Sequence, residues 1–192
     1  MEALPVNRIV EELRGEFDRA FTTTPLAQGV LTGSETCDLL AIRVGGDPYV
    51  IKVTEITALA GRRKTVPLPT PIPELIGLAS IRGGLVPVYS LAMLLGYGPR
   101  SVDSKDSEPS RWLAVCGTIE SLGLAFNDLE GYFRVASSDI YPASESNVAG
   151  DAIRGFIKEV ANVGGLVRAV VEIPSIVEAM KRRARSRVSK ER

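Results

Sequence analysis

Among the residues able to do chemistry, Arg82 holds the most telling position. It is the one cation in Pro67 to Leu95, a stretch of nearly all apolar side chains and backbone punctuation apart from Glu74 and a few hydroxyls. A guanidinium there could grip a carboxylate or carbonyl with its rigid fork of donors. It could equally be an ordinary turn cation, or a bridge between two halves of a fold. The rest of the inventory argues against catalysis. The chain has no histidine, which removes the commonest general base and metal ligand and leaves such work to carboxylates, Lys, Tyr or Ser. No nucleophile, base and anion hole fall at plausible spacing. Asn127-Asp128 and Asp151 are the best carboxylate-bearing loops, and each reads as a turn residue bonding its own backbone. Gly45-Gly46 and Gly164-Gly165 lack the following Lys-Ser/Thr of a phosphate-cradling loop and read as hairpin turns. Cys37 and Cys116 lie far apart without a CxxC or Cys/His spacing, and read as buried thiols rather than a disulfide or metal site.

Arg82 must be positioned by its own neighbourhood. Gly77 to Arg82 and Leu85 to Leu91 read as two short strands meeting at the Arg82-Gly83-Gly84 turn, where glycine tolerates the positive φ of tight hairpins. Pro67, Pro69, Pro71 and Pro73 recur at every second position ahead of it and exclude helix or central strand, so they form an extended lead-in. Upstream, Val6, Ile9, Val10, Leu13, Phe17 and Phe21 fall near helical spacing, predicting an amphipathic helix over residues 5–21 with Pro5 in its first turn. Residues 22–34, rich in threonine and glycine, read as a linker, and the domain proper starts near Cys37.

From there, short and frequent strand signals bounded by Gly, Pro and Asp suit small barrels rather than a βαβ sheet. Residues 98–110 carry almost no apolar side chain and predict an exposed connector, with a strand over Trp112 to Thr118 after it. Pro174 opens a final helix that turns Ile176, Val177 and Met180 to the body, and the tail past Arg185 is expected to fray. A faint internal echo pairs Gly83-Gly84-Leu85-Val86 with Gly164-Gly165-Leu166-Val167, and Val53-Thr54-Glu55-Ile56 with Phe126-Asn127-Asp128-Leu129. Either the halves are related, or apolar strands resemble one another by chance.

Composition bounds the function. With 45% hydrophobic residues over 192, the chain can bury a substantial core. Its 23 basic and 23 acidic groups balance, which argues against general nucleic-acid binding. Lys181, Arg182, Arg183, Arg185, Arg187, Lys190 and Arg192 nevertheless gather positive charge at one end. That tail is either a solvated helix end suited to the helix dipole or a contact surface, and a small β-barrel binding nucleic acid through it is the alternative function. No signal peptide or bilayer-length apolar run is read, so a cytoplasmic protein is expected.

Taken in order, these pieces resemble the CheW-like coupling-protein family of bacterial chemotaxis, whose members show a proline-rich lead-in, an apolar strand ending in Leu-Arg-Gly, then a hydrophobic strand and a short helix. Here the match reads Ile81-Arg82-Gly83. Leu39 to Val44, Gly45-Gly46-Asp47-Pro48-Tyr49 and Val50 to Ile56 resemble the family's opening strands, which close in a valine, any residue, acid, isoleucine pattern. The resemblance covers roughly Cys37 to Met180. It implies a mainly β fold of two packed five-stranded SH3-like β-barrel subdomains, over about 37–97 and 111–173, with the connector 98–110 between them. An N-terminal helix and linker (1–36), a terminal helix from Pro174 and a basic tail (181–192) flank this 37–180 domain.

The resemblance also implies a non-catalytic adaptor that links chemoreceptors to a CheA-type histidine kinase, with no cofactor, metal or nucleic acid and with the membrane reached only through the receptor. The arginine of the motif faces the receptor's cytoplasmic tip, which carries that role to Arg82. Val53 and Glu55 fall on or beside the same surface. Gly77 matches a glycine of the kinase-facing region, where CheA docks its own CheW-like regulatory domain; the plainer reading is a strand-start glycine. The chain departs from the pattern at Phe126-Asn127-Asp128-Leu129, where many relatives show a valine-aspartate pair, and in its extra N-terminal helix, which would dock on the barrels or recruit a further partner.

Overall fold

The apolar runs bounded by glycine and proline form strands, as their periodicity and turn chemistry require. A computed structural model describes residues 4–5, 35–61, 63–98, 112–117, 121–143 and 155–188, with 4–5 and 184–188 as backbone alone. The strands are β1 (Leu4–Pro5), β2 (Thr36–Val44), β3 (Asp47–Lys52), β4 (Ala58–Gly61), β5 (Thr65–Val66), β6 (Leu75–Ile81), β7 (Gly84–Ser90), β8 (Trp112–Cys116), β9 (Leu122–Phe126), β10 (Asp128–Ala136), β11 (Ile140–Pro142), β12 (Ile157–Val163) and β13 (Leu166–Val171). Helix α1 (Leu91–Leu94) follows β7 and α2 (Ile173–Val188) follows β13. Among the described residues no helix is long and apolar enough to cross a membrane.

Seven strands form one sheet in the order β1-β4-β8-β9-β7-β6-β5, and six form the other in the order β10-β2-β3-β13-β12-β11. The fold is mainly β, as expected, but the sheets do not divide at the connector. Strands β2 and β3 sit between β10 and β13, while β8 and β9 sit between β4 and β7. Each half of the chain therefore lends a central hairpin to the sheet of the other. The two closed five-stranded barrels are also not found among the described residues: each sheet runs from edge to edge. The edge strands β5 and β11 are only two and three residues long, which leaves few backbone groups with which to close a ring.

The internal echo is real, and topology sharpens its register. One offset of 82 residues carries the turn Arg82-Gly83 to Gly164-Gly165, the β-bulge at Leu75/Gly77 to that at Ile157/Glu159, and the start of α1 at Leu91 to the start of α2 at Ile173. Sequence matching alone placed the turns one residue out. The second echo, Val53 to Ile56 with Phe126 to Leu129, falls outside this offset: each segment leads from one sheet to the other, but the one-turn 3-10 helix at Val53–Glu55 has its counterpart at Ser137–Asp139.

Alternating side chains sort into three buried clusters. Leu40, Ile42, Ile51, Leu59, Leu91, Leu124, Phe126, Ile173 and Ile176 belong to the largest, which draws on both sheets and on both helices and so fills the space between them. A second cluster, rich in alanine, lies on the other face of the seven-stranded sheet. A third, with Leu39, Ala41, Val50 and Val170, lies on the other face of the six-stranded one. Strands β8 and β9 have apolar burial on both faces, which explains their unbroken hydrophobic runs.

Three local expectations change. Pro5 is extended, pairing with Ala58 at the sheet edge rather than starting a helix, and an edge is where a strand tolerates a residue without an amide donor. The rest of the expected helix over 5–21 and the linker lie outside the described residues, as does Asp151. Helix α2 continues past Arg185 to Val188, so the first part of the basic tail is helical. Asn127 does not close on its own backbone; its side-chain oxygen accepts from Gly45 N at 3.1 Å and pins the β2–β3 turn. Both cysteines are free thiols, with Cys116 buried and Cys37 half-buried, and burial raises the pKa of each.

Candidate functional site

The two-residue loop between β6 and β7 consists of Arg82 at φ 50° and Gly83 at φ 79°, flanked by the Ile81–Gly84 pair. Two left-handed residues give the turn whose twist matches the flanking strands. Glycine takes that shape freely, whereas a side chain brings Cβ close to the next carbonyl at about 1 kcal/mol. In the related hairpin, Gly164 at φ 61° and Gly165 at φ 81° fill the same places. Arg82 is the one non-glycine residue with positive φ among the described residues.

Beside it opens a cavity of about 340 Å³. Ala58, Ile81, Val86 and Val115 give it apolar walls, Arg82, Gly84 and Leu85 bring the hairpin to it, and Thr57 and Ser121 supply hydroxyls. Space exists there because the adjoining cluster is built from small side chains, including Ala58, Ala60, Ala79 and Ala125. Thr57 Oγ1 donates to Val115 O and Ser121 Oγ to Gly117 O, each at 3.1 Å, which leaves hydroxyl lone pairs able to accept. Leu85 is 74% exposed at the edge. None of the lining residues is an acid, lysine, cysteine or tyrosine, so the arrangement suits binding: an apolar side chain in the cavity and an acceptor at Arg82.

Val53 and Glu55 lie just before this cavity in the chain, on a one-turn 3-10 helix that precedes Thr57 and Ala58. Neither lines it. Val53 packs against the central cluster. Glu55 turns toward α2, its Oε2 accepting from Ile173 N at 3.0 Å, and so satisfies one of the orphan amides at that helix's start. Burial pushes its carboxyl above the usual range against this hydrogen bond and the pull of Lys52. The structure thus gathers Arg82 with the residues following Glu55 and assigns the Glu55 carboxylate a structural partner.

Gly77 sits at the other end of β6, buried in the bulge opposite Val88, at φ 152°. A Cβ there would stand 2.1 Å from the Val66 carbonyl oxygen and 2.9 Å from Pro67 Cα. No side chain fits between β6 and the edge strand. Around it, Val66, Leu68 and Ile76 are exposed apolar residues on the sheet's edge.

A polar cluster that the sequence reading passed over lies on the six-stranded sheet. Arg168, 8% exposed, hydrogen-bonds Glu130, which also pairs with Arg43 at 2.5 Å. Burial alone would raise the Glu130 carboxyl; the hydrogen bonds and charges of the two arginines outweigh it and hold the pKa low. Glu130 reaches both because it is the extra residue of a bulge in β10, between Leu129 and Gly131. The available signal was an arginine inside the apolar run Leu166 to Val171.

A family model for the CheW-like domain matches residues 38–181. Over 150 residues the chain is 24% identical to "Chemotaxis protein CheW" of Rhizobium meliloti (strain 1021), covering 77% of this chain and 91% of that protein. The crystal structure of the scaffolding protein TtCheW from Thermoanaerobacter tengcongensis superposes with a TM-score of 0.59 at 13% identity, over 71% of this chain and 89% of that one. The likeness of fold and the match over three quarters of the sequence agree with the motif order read from Cys37 to Met180: the chain belongs to the CheW-like domain family.

Proposed function

We propose that the protein is a non-catalytic chemotaxis adaptor, joining the cytoplasmic tip of a chemoreceptor to the regulatory domain of a CheA-type histidine kinase. The observation that carries this reading is the left-handed Arg82 beside the apolar cavity. The chain places glycine in the related turn, so the arginine is kept against a backbone cost, and strain held at an exposed site points to use. The names of its relatives, a chemotaxis protein and a scaffolding protein, supply the pathway. In this reading Arg82 contacts the receptor directly, and Val53 and Glu55 shape the segment that leads into the cavity. Gly77 acts for the kinase face by letting β5 lie against β6, so that Val66, Leu68 and Ile76 form the contact. The two sheets, one of seven strands and one of six, would then stand where the family has its two barrels.

The test is the binding of Arg82→Glu to a receptor cytoplasmic fragment. Reversing the charge should weaken binding at least tenfold while leaving the thermal transition in place. A folded variant that binds the receptor as well as wild type would remove Arg82 from the interface.

A further inference from the structure

We propose that the halves of this chain are exchangeable between copies: residues 36–98 of one molecule pair with residues 112–188 of a second, and reciprocally, to make a dimer of two complete lobes. The partner is a second copy of this chain.

Four strand pairings join the halves, three inside the sheets and one, β10 with β2, at an edge. These are β10 with β2, β3 with β13, β4 with β8, and β7 with β9. Within the first half, β2 and β3 pair only with each other, and β4 pairs only with the two-residue β1. Isolated hairpins are marginal in water, so each half needs the other to complete its sheets. The central cluster repeats the dependence, with Leu40, Ile42 and Leu91 from one half packed with Leu124, Phe126 and Ile176 from the other. The covalent joint is the single connector of residues 99–111, with one apolar side chain, Val102.

No native contact records which molecule supplied the complement. An exchanged dimer repeats all of them, so its formation is decided by chain concentration during folding and is then held by the barrier to unfolding. The Arg82 cavity follows the same rule: Thr57, Ala58 and Arg82 come from one half, Val115 and Ser121 from the other. Each lobe of the dimer carries a whole cavity built from two molecules. This argument rests on topology and holds whether or not the adaptor reading does.

The experiment uses the full chain with a specific protease site inserted after Ser104, unfolded in denaturant and refolded at low and at high protein concentration. Mass is followed by size exclusion with light scattering. High concentration should yield a dimer that persists on dilution, and complete cutting of the connector should halve its mass, leaving particles with one fragment of each kind. Monomer at every concentration, or a dimer that keeps its mass after cutting, would overturn the proposal. A thermal transition of the uncut monomer matching the parent shows that the insertion is tolerated. Untagged wild-type chain refolded the same way must give the same concentration dependence.

Discussion

Arg82 shows how a single residue can be assigned by its cost. The turn geometry asks for a residue tolerant of positive φ, and asparagine before glycine is the strongest short signal for this hairpin. Arg82→Asn should therefore raise stability by about 0.5–1 kcal/mol, read as a higher urea midpoint at unchanged slope, while receptor binding falls. A lower midpoint would mean that the guanidinium stabilises the fold, and the strain argument would lapse. Glu130 makes the opposite kind of case. Its carboxyl titrates lower in the folded chain than in the unfolded one, so its contribution is present above the ordinary carboxylate range and is lost as pH falls through the folded value. Glu130→Gln strands the nearly buried Arg168 charge and should cost about 3 kcal/mol at neutral pH. The deficit should shrink when the same denaturation series is run toward pH 3; a constant deficit would show that its charge is irrelevant.

At the scale of elements, β6 serves both ends of the proposed adaptor: the turn at one end carries Arg82, and the bulge at the other lets the edge strand approach. The hairpin itself was legible, since its apolar strands and glycines are local signals, whereas the Ser90 cap of α1, whose Oγ accepts from Met93 N at 3.3 Å, emerged only with the structure. Less legible was why Gly77 is glycine. The family resemblance implied a kinase-facing position and the residue alone a strand-start glycine; what excludes a side chain is Val66, eleven positions away, whose carbonyl occupies its space. Gly77→Ala should accordingly cost about 3 kcal/mol or more by chemical denaturation, and its loss of kinase binding would be a folding effect. Val66→Ser and Ile76→Ser leave that packing intact. They should weaken binding to the kinase regulatory domain with the melting temperature held within a few degrees, and normal binding by both would move the kinase face elsewhere.

Over the whole molecule, what could be read and what could not divide along the range of the interactions. The glycine hairpins and their repeat are written in local residue types. The exchange of hairpins between sheets is not, because the partners of β2 and β8 are chosen by the three-dimensional closure of a shared core, to which Ile42 from the first half and Ile176 from the second both belong. Two consecutive barrels would melt as two units of about 60 residues each. Interleaved halves cannot, since disrupting either one removes the central strands of both sheets. Calorimetry of the monomer should therefore show one transition with calorimetric and van't Hoff enthalpies in a ratio near one. Trp112 fluorescence, reporting from the seven-stranded sheet, should coincide with amide exchange in β3 and β13 of the other. Two resolved transitions, or loss of Trp112 structure while β3 and β13 stay protected, would mean that the sheets are energetically separate despite their shared strands.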